Sequence, residues 1–132
     1  MKRTPQESGI DPHLWDFADR LVAASSVVID RPHGSRHPHY PAYVYPLDYG
    51  YLDGTKAMDG GGIDVWQGNL SEKRVSGIIL TIDLLKRDAE LKLLVGCTAA
   101  EADTALAAHQ TESQAALLIL RGTDGPSEPS LG

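Results

Sequence analysis

The chain has 132 residues, 42% of them hydrophobic, a single cysteine and a formal net charge of −6. That length suits one domain with a core large enough to need neither a disulfide nor a structural metal. The acidic balance lacks the electrostatic footprint of a nucleic-acid binder, no apolar run approaches the ~20 residues of a membrane span, and one cysteine excludes an internal disulfide.

Residues 1–9 read as a flexible lead-in. "MKRTPQESGI" has no apolar stretch of the signal-peptide kind, so a cytoplasmic setting is expected. "DPHLWDFADRLVAAS" follows as an amphipathic helix, with Asp11 as N-cap and Pro12 at the first helical position. Leu14, Phe17, Ala18, Leu21 and Val22 recur at helical spacing and are expected on its buried face. "SSVVIDR" is short and β-branched and reads as a strand. "PHGSRHPHYP" is a loop of turn formers and imidazoles. "AYVYPLDYGYLDG" holds four of the five tyrosines and reads as aromatic strand packing. "GIDVWQ" is a strand after a glycine turn. "RVSGIILTIDLL", "KRD" and "AELKLLVGC" form a hairpin with Asp83 near the end of one arm and Asp88 at the start of the other. Cys97 closes that apolar run and reads as core filler. Thr98 and Glu101 make a capping box for the alanine-rich helix "TAAEADTALAAHQ". "QAALLILR" is a last strand, and residues 122–132 form a polar tail expected to be disordered. One domain over 10–121 is expected. It is mainly β, a small OB-like five-stranded barrel with an N-terminal helix and one helix near the C-terminus.

Four aspartates sit at turns or strand ends beside apolar segments: Asp59, Asp64, Asp83 and Asp88. Two pairs share the same five-residue interval, one of them around the glycine triplet of "MDGGGIDVW". Hard divalent cations take oxygen ligands, and carboxylates gathered from two hairpins repel strongly without a cation. A shared metal site and ordinary solvated turns are both open on spacing alone. His33, His37 and His39 cluster beside Arg31 and Arg36, and a loop with three histidines is more often solvated than a zinc site.

"VVIDRP", "YPLDYGYLDGTKAMDGGGIDVW" and "GIILTIDLLKRDAELKLL" resemble, in the same order, the soluble family I inorganic pyrophosphatases. The resemblance covers roughly residues 26 to 97 and rests on the pair "YPLDYGY" and "DGGGIDV". It implies an OB-like barrel and hydrolysis of pyrophosphate to two phosphates by a metal-activated water, with several Mg2+ ions. Pyrophosphate or a related phosphoanhydride is then the partner, nucleic acid and membrane are not, and a homo-oligomer is expected. By the same resemblance Asp59, Asp64, Asp83 and Asp88 are metal ligands. Tyr49 matches the active-site tyrosine, and Asp30 stands where the family has a strand glutamate. Catalytic roles fall to Tyr49, Asp64 and Asp30, and substrate binding to Arg36, His39 and Lys92.

The chain departs from the family's pattern at named positions. Gly61 replaces the middle aspartate of the Asp-Gly-Asp-Pro-x-Asp-Val signature, and Gly62 replaces its proline. Glu90 replaces the lysine of Asp-x-Lys, with Lys92 on the same strand face as Asp88 by period-two alternation. His39 replaces a phosphate-binding lysine. Two expectations therefore stand side by side: an Mg-dependent pyrophosphatase, and a non-catalytic protein of that fold that binds metal or phosphate ligands.

Overall fold

The computed structural model describes residues 11–122. The lead-in expected over 1–9 and the tail from 123 onward lie outside the described residues. Helix α1 (Pro12–Ala23) starts as its sequence demands, with Asp11 accepting from the His13 N–H and Pro12 where no N–H is needed. Its buried face differs from the expected one. Ala18 and Val22 are buried and Trp15 packs beside them, whereas Leu14, Phe17 and Leu21 are exposed. Asp19 explains the rotation. Its carboxylate accepts from the Val75 N–H at 2.9 Å and from Arg121 Nη1 at 2.8 Å, tying that side of the helix to the sheet.

Six strands follow: β1 (Ser26–Arg31), β2 (Asp48–Asp53), β3 (Ile63–Gln67), β4 (Val75–Asp83), β5 (Asp88–Val95) and, after helix α2 (Ala99–Ala108), β6 (Gln114–Leu120). They form one sheet in the order β1-β2-β3-β5-β4-β6. Every neighbouring pair is antiparallel except β3 and β5, which run parallel. The expected five-stranded barrel is corrected on two points. β6 adds a sixth strand by pairing with β4 from Gly77 to Asp83, and β1 and β6 stay at opposite edges, so the sheet does not close. "QAALLILR" is accordingly an edge strand in which Leu117 and Leu120 are exposed.

The sheet carries one core on each face. Under α1 lie Leu52, Val65, Val75, Ile78, Leu93 and Val95. Under α2 lie Tyr45, Leu47, Trp66, Ile79, Leu94 and Cys97. The Thr98/Glu101 capping box is present, and Ala102 and Ala105 let α2 lie close against the strands. Cys97 is core filler as expected, and burial pushes its thiol up to about 11. β1 and β2 meet tightly at Gly50, where a Cβ would stand 1.8 Å from the Val28 carbonyl oxygen.

Candidate active site

Strand alternation brings the chemistry to the α2 face. Tyr49 and Tyr51 on β2, Asp64 and Trp66 on β3, and Asp88, Glu90, Lys92 and Leu94 on β5 each alternate with residues of the α1 core. Register completes the arrangement: Asp64 lies opposite Lys92 across the parallel pair, and Asp83 lies opposite both Asp88 and Gln114.

Lys92 is the hub. Only 4% exposed, its ammonium donates to Asp64 Oδ2 at 2.8 Å, to Glu90 Oε1, and to the Tyr49 hydroxyl at 3.3 Å. Burial opposes its charge, yet Tyr49, Asp64 and Glu90 outweigh burial and hold the lysine protonated above its usual range. Burial likewise raises the Tyr49 phenol far above its usual range, so it remains a hydroxyl. Burial alone would raise Glu90, but the hydrogen bond and charge of Lys92 keep it low. Asp88 is raised, by desolvation and then by the negative charge of Glu90, to which it is hydrogen-bonded.

A second chain of hydrogen bonds runs beside the first. Trp66 Nε1 donates to His109 Nε2 at 3.0 Å. An indole N–H can only donate, so Nε2 is the unprotonated nitrogen and Nδ1 carries the proton. Nδ1 then donates to Gln114 Oε1 at 2.9 Å, and Gln114 Nε2 donates to Asp83 Oδ2 at 3.0 Å. The other oxygen of Asp83 accepts from the N–H groups of Leu85 and Lys86, each at 2.9 Å. Those bonds, that from Lys86 first, hold Asp83 below its usual range. His109 is lowered, by burial and then by the Lys92 charge. Nothing local in the sequence joins Trp66, His109 and Gln114. The placement of Trp66 two residues from Asp64 on one strand face was the only available signal.

The loop between β1 and β2 supplies the basic groups. His37 Nδ1 accepts from the N–H groups of His39 and Tyr40, at 3.0 and 3.2 Å, and its ring stacks on Tyr45. The His37 pKa is lowered, first by desolvation and then by the charges of His39, Arg31 and Lys86. Arg36 spends its Nη1 on the Pro41 carbonyl at 2.8 Å. His39 is exposed, and Asp30 is exposed on β1, 3.7 Å from Arg31 Nη1.

The glycine triplet makes a tight turn in which the Ala57 N–H donates to the Gly61 carbonyl at 2.6 Å and the Gly61 N–H to Asp59 Oδ1 at 2.9 Å. Gly60 has φ +91°, which favours glycine. A side chain at Gly62 would meet the Leu52 carbonyl oxygen at 2.8 Å, so the proline of the family signature has no room there. Gly61 is different: a Cβ would meet only Asp59 Oδ1, at 3.5 Å.

Each carboxylate that a magnesium centre would need already has a partner. Asp64 is bonded to Lys92, Asp83 to Gln114 and its own hairpin, Asp88 to Glu90, and Asp59 caps an exposed turn. Among the described residues no three His, Cys, Asp or Glu side chains gather as a metal-binding group. The four aspartates in this arrangement do not fit one multi-ion centre.

No family model and no curated protein sequence matches the chain. Among solved structures it is similar to an inorganic pyrophosphatase from Helicobacter pylori, at 17% identity over 73% of this chain and 82% of that one, with a TM-score of 0.52. An inorganic phosphatase from Anaplasma phagocytophilum matches at 15% identity over 71% and 81%, with a TM-score of 0.48. No helix among the described residues is long and apolar enough to cross a membrane. In fold, this chain is therefore similar to the Helicobacter pylori pyrophosphatase, mainly β and OB-like, with a six-stranded sheet that stays open.

Proposed function

We propose that the loop between β1 and β2, where it lies against Tyr49, receives pyrophosphate or a related phosphoanhydride. The observation that carries this is the stacking of His37 on Tyr45 and of Tyr45 on Tyr49, which sets this basic loop beside the Tyr49–Lys92 network. The charges of His39, Arg31 and Lys86 act on His37, and a multivalent anion is attracted to such a loop. With Nδ1 of His37 accepting backbone bonds, its neutral ring carries the proton on Nε2 and can donate to a phosphate oxygen.

Magnesium-dependent hydrolysis is the activity the resemblance implies, with Asp59, Asp64, Asp83 and Asp88 as ligands and Tyr49, Asp30, Arg36 and His39 about the substrate. We favour binding with little turnover. Asp64 is already paired with Lys92, and Gly61 offers no carboxylate to orient water. Titration calorimetry with pyrophosphate, alongside phosphate release with and without magnesium, separates the two. Binding that weakens in Lys86→Ala and His39→Ala, with release near background, is expected. Robust magnesium-dependent release lost in Asp64→Asn replaces this conclusion with the hydrolytic one, and no pyrophosphate binding at all refutes both. The homo-oligomer remains a proposal, tested by sedimentation velocity.

A further inference from the structure

We propose that the Lys92 ammonium is a resident cation, balancing Asp64 and Glu90 in the place a divalent metal would need, and so closing the wild-type site to such metals. Three observations support it. Asp64 from β3 and Glu90 from β5 both bring an oxygen to the same Nζ, so a metal bridging those two strands would have to displace it. The ammonium has three protons and three acceptors, Tyr49 included, so its donor capacity is full. Lys92 is also buried, and its stem is anchored in a strand paired on both sides. A tethered cation cannot diffuse away, whereas magnesium must shed water to enter such a site.

The balance also assigns Lys92 a role other than phosphate contact. An ammonium committed to three internal acceptors has no proton for a substrate oxygen. The positive groups for an anion then come from the β1–β2 loop, and the buried lysine keeps Asp64 and Glu90 from repelling one another. None of this requires that pyrophosphate is the ligand, since cation binding is measured with no anion present.

Manganese titration followed by electron paramagnetic resonance, together with thermal unfolding with and without magnesium, tests the idea. Wild type is expected to sequester no manganese and to unfold at a midpoint that magnesium leaves unchanged. Lys92→Met is expected to lower the midpoint by a few degrees or more, because two half-buried carboxylates lose their counter-charge. It should bind about one manganese ion per chain and recover part of the loss in magnesium. Lys92→Arg, which keeps the charge, should bind none. Manganese bound by wild type and lost in Asp64→Asn overturns the proposal. So does a Lys92→Met protein that gains no manganese site, or that stays unfolded both with and without magnesium.

Discussion

Replacing His109 by phenylalanine keeps a ring against Trp66 and removes both imidazole nitrogens. The wild-type rings meet edge-on at 5.7 Å, a contact phenylalanine retains. What is lost is the acceptor for Trp66 Nε1 and the donor to Gln114 Oε1. Trp66 is 1% exposed, so its orphaned N–H carries the full penalty of about 1–3 kcal/mol. Gln114 is half-buried and adds less. A loss of about 2–3 kcal/mol, or ~10 °C in midpoint, is expected near neutral pH. The pH dependence is a sharper test. The His109 pKa is lowered in the folded protein, by burial first and Lys92 second. On acidification the unfolded chain therefore takes up the proton before the folded one. Stability is present above the ordinary histidine value and is lost as pH falls through the folded one, with a slope of at most about 1.4 kcal/mol per pH unit. Phenylalanine has no such proton, so the gap between wild type and variant should narrow from pH ~7.5 to ~5. Urea unfolding followed by tryptophan fluorescence and circular dichroism at each pH measures it. A gap that stays constant refutes the lowered pKa of His109 and the burial that causes it.

Other variants probe the helix and the turn. Phe17→Ser should change stability by no more than ~0.5 kcal/mol, since Phe17 is 61% exposed. Val22→Ala, on the buried side, should cost about 1–3 kcal/mol in the same urea titration. Gly61→Asp should leave the thermal midpoint within a few degrees, its Cβ position being open, whereas Gly62→Ala should lower it clearly by pressing on the Leu52 carbonyl. Equal effects of the two glycine variants would contradict that geometry.

Periodicity made the elements legible. The Asp11–Pro12 start of α1, the Thr98/Glu101 box and the β4–β5 hairpin are local patterns, and all three are present. The helix face was misjudged because hydrophobicity ranks Phe17 above Ala18, while Asp19, reaching Val75 and Arg121 far along the chain, decides which side turns inward. Barrel closure was not legible either, because it depends on whether edge strands meet, which no single strand encodes. At the site, the resemblance singled out Tyr49 and Asp64 and strand alternation singled out Lys92, and the structure brings those three together. It missed that Lys92 neutralises Asp64, since that depends on parallel register between strands 28 residues apart in sequence. Arg36 and His39 share a loop, yet only local turn bonds decide that Arg36 is spent on Pro41.

The single parallel seam, β3 against β5, has a consequence for assembly. Asp64 belongs to the meander of β1, β2 and β3, and Lys92, with Glu90, to the set of β4, β5 and β6, so Asp64 finds its cation only across the seam. Each half can pair its own neighbouring strands without the other, and the Lys92–Asp64 pair forms only when the two dock. Contacts made at docking form late and appear mainly in the unfolding rate. Asp64→Asn should therefore speed unfolding in stopped-flow kinetics while leaving refolding nearly unchanged. A partly assembled chain leaves the Asp64 carboxylate without its cation at the open edge, and only the finished joint supplies it.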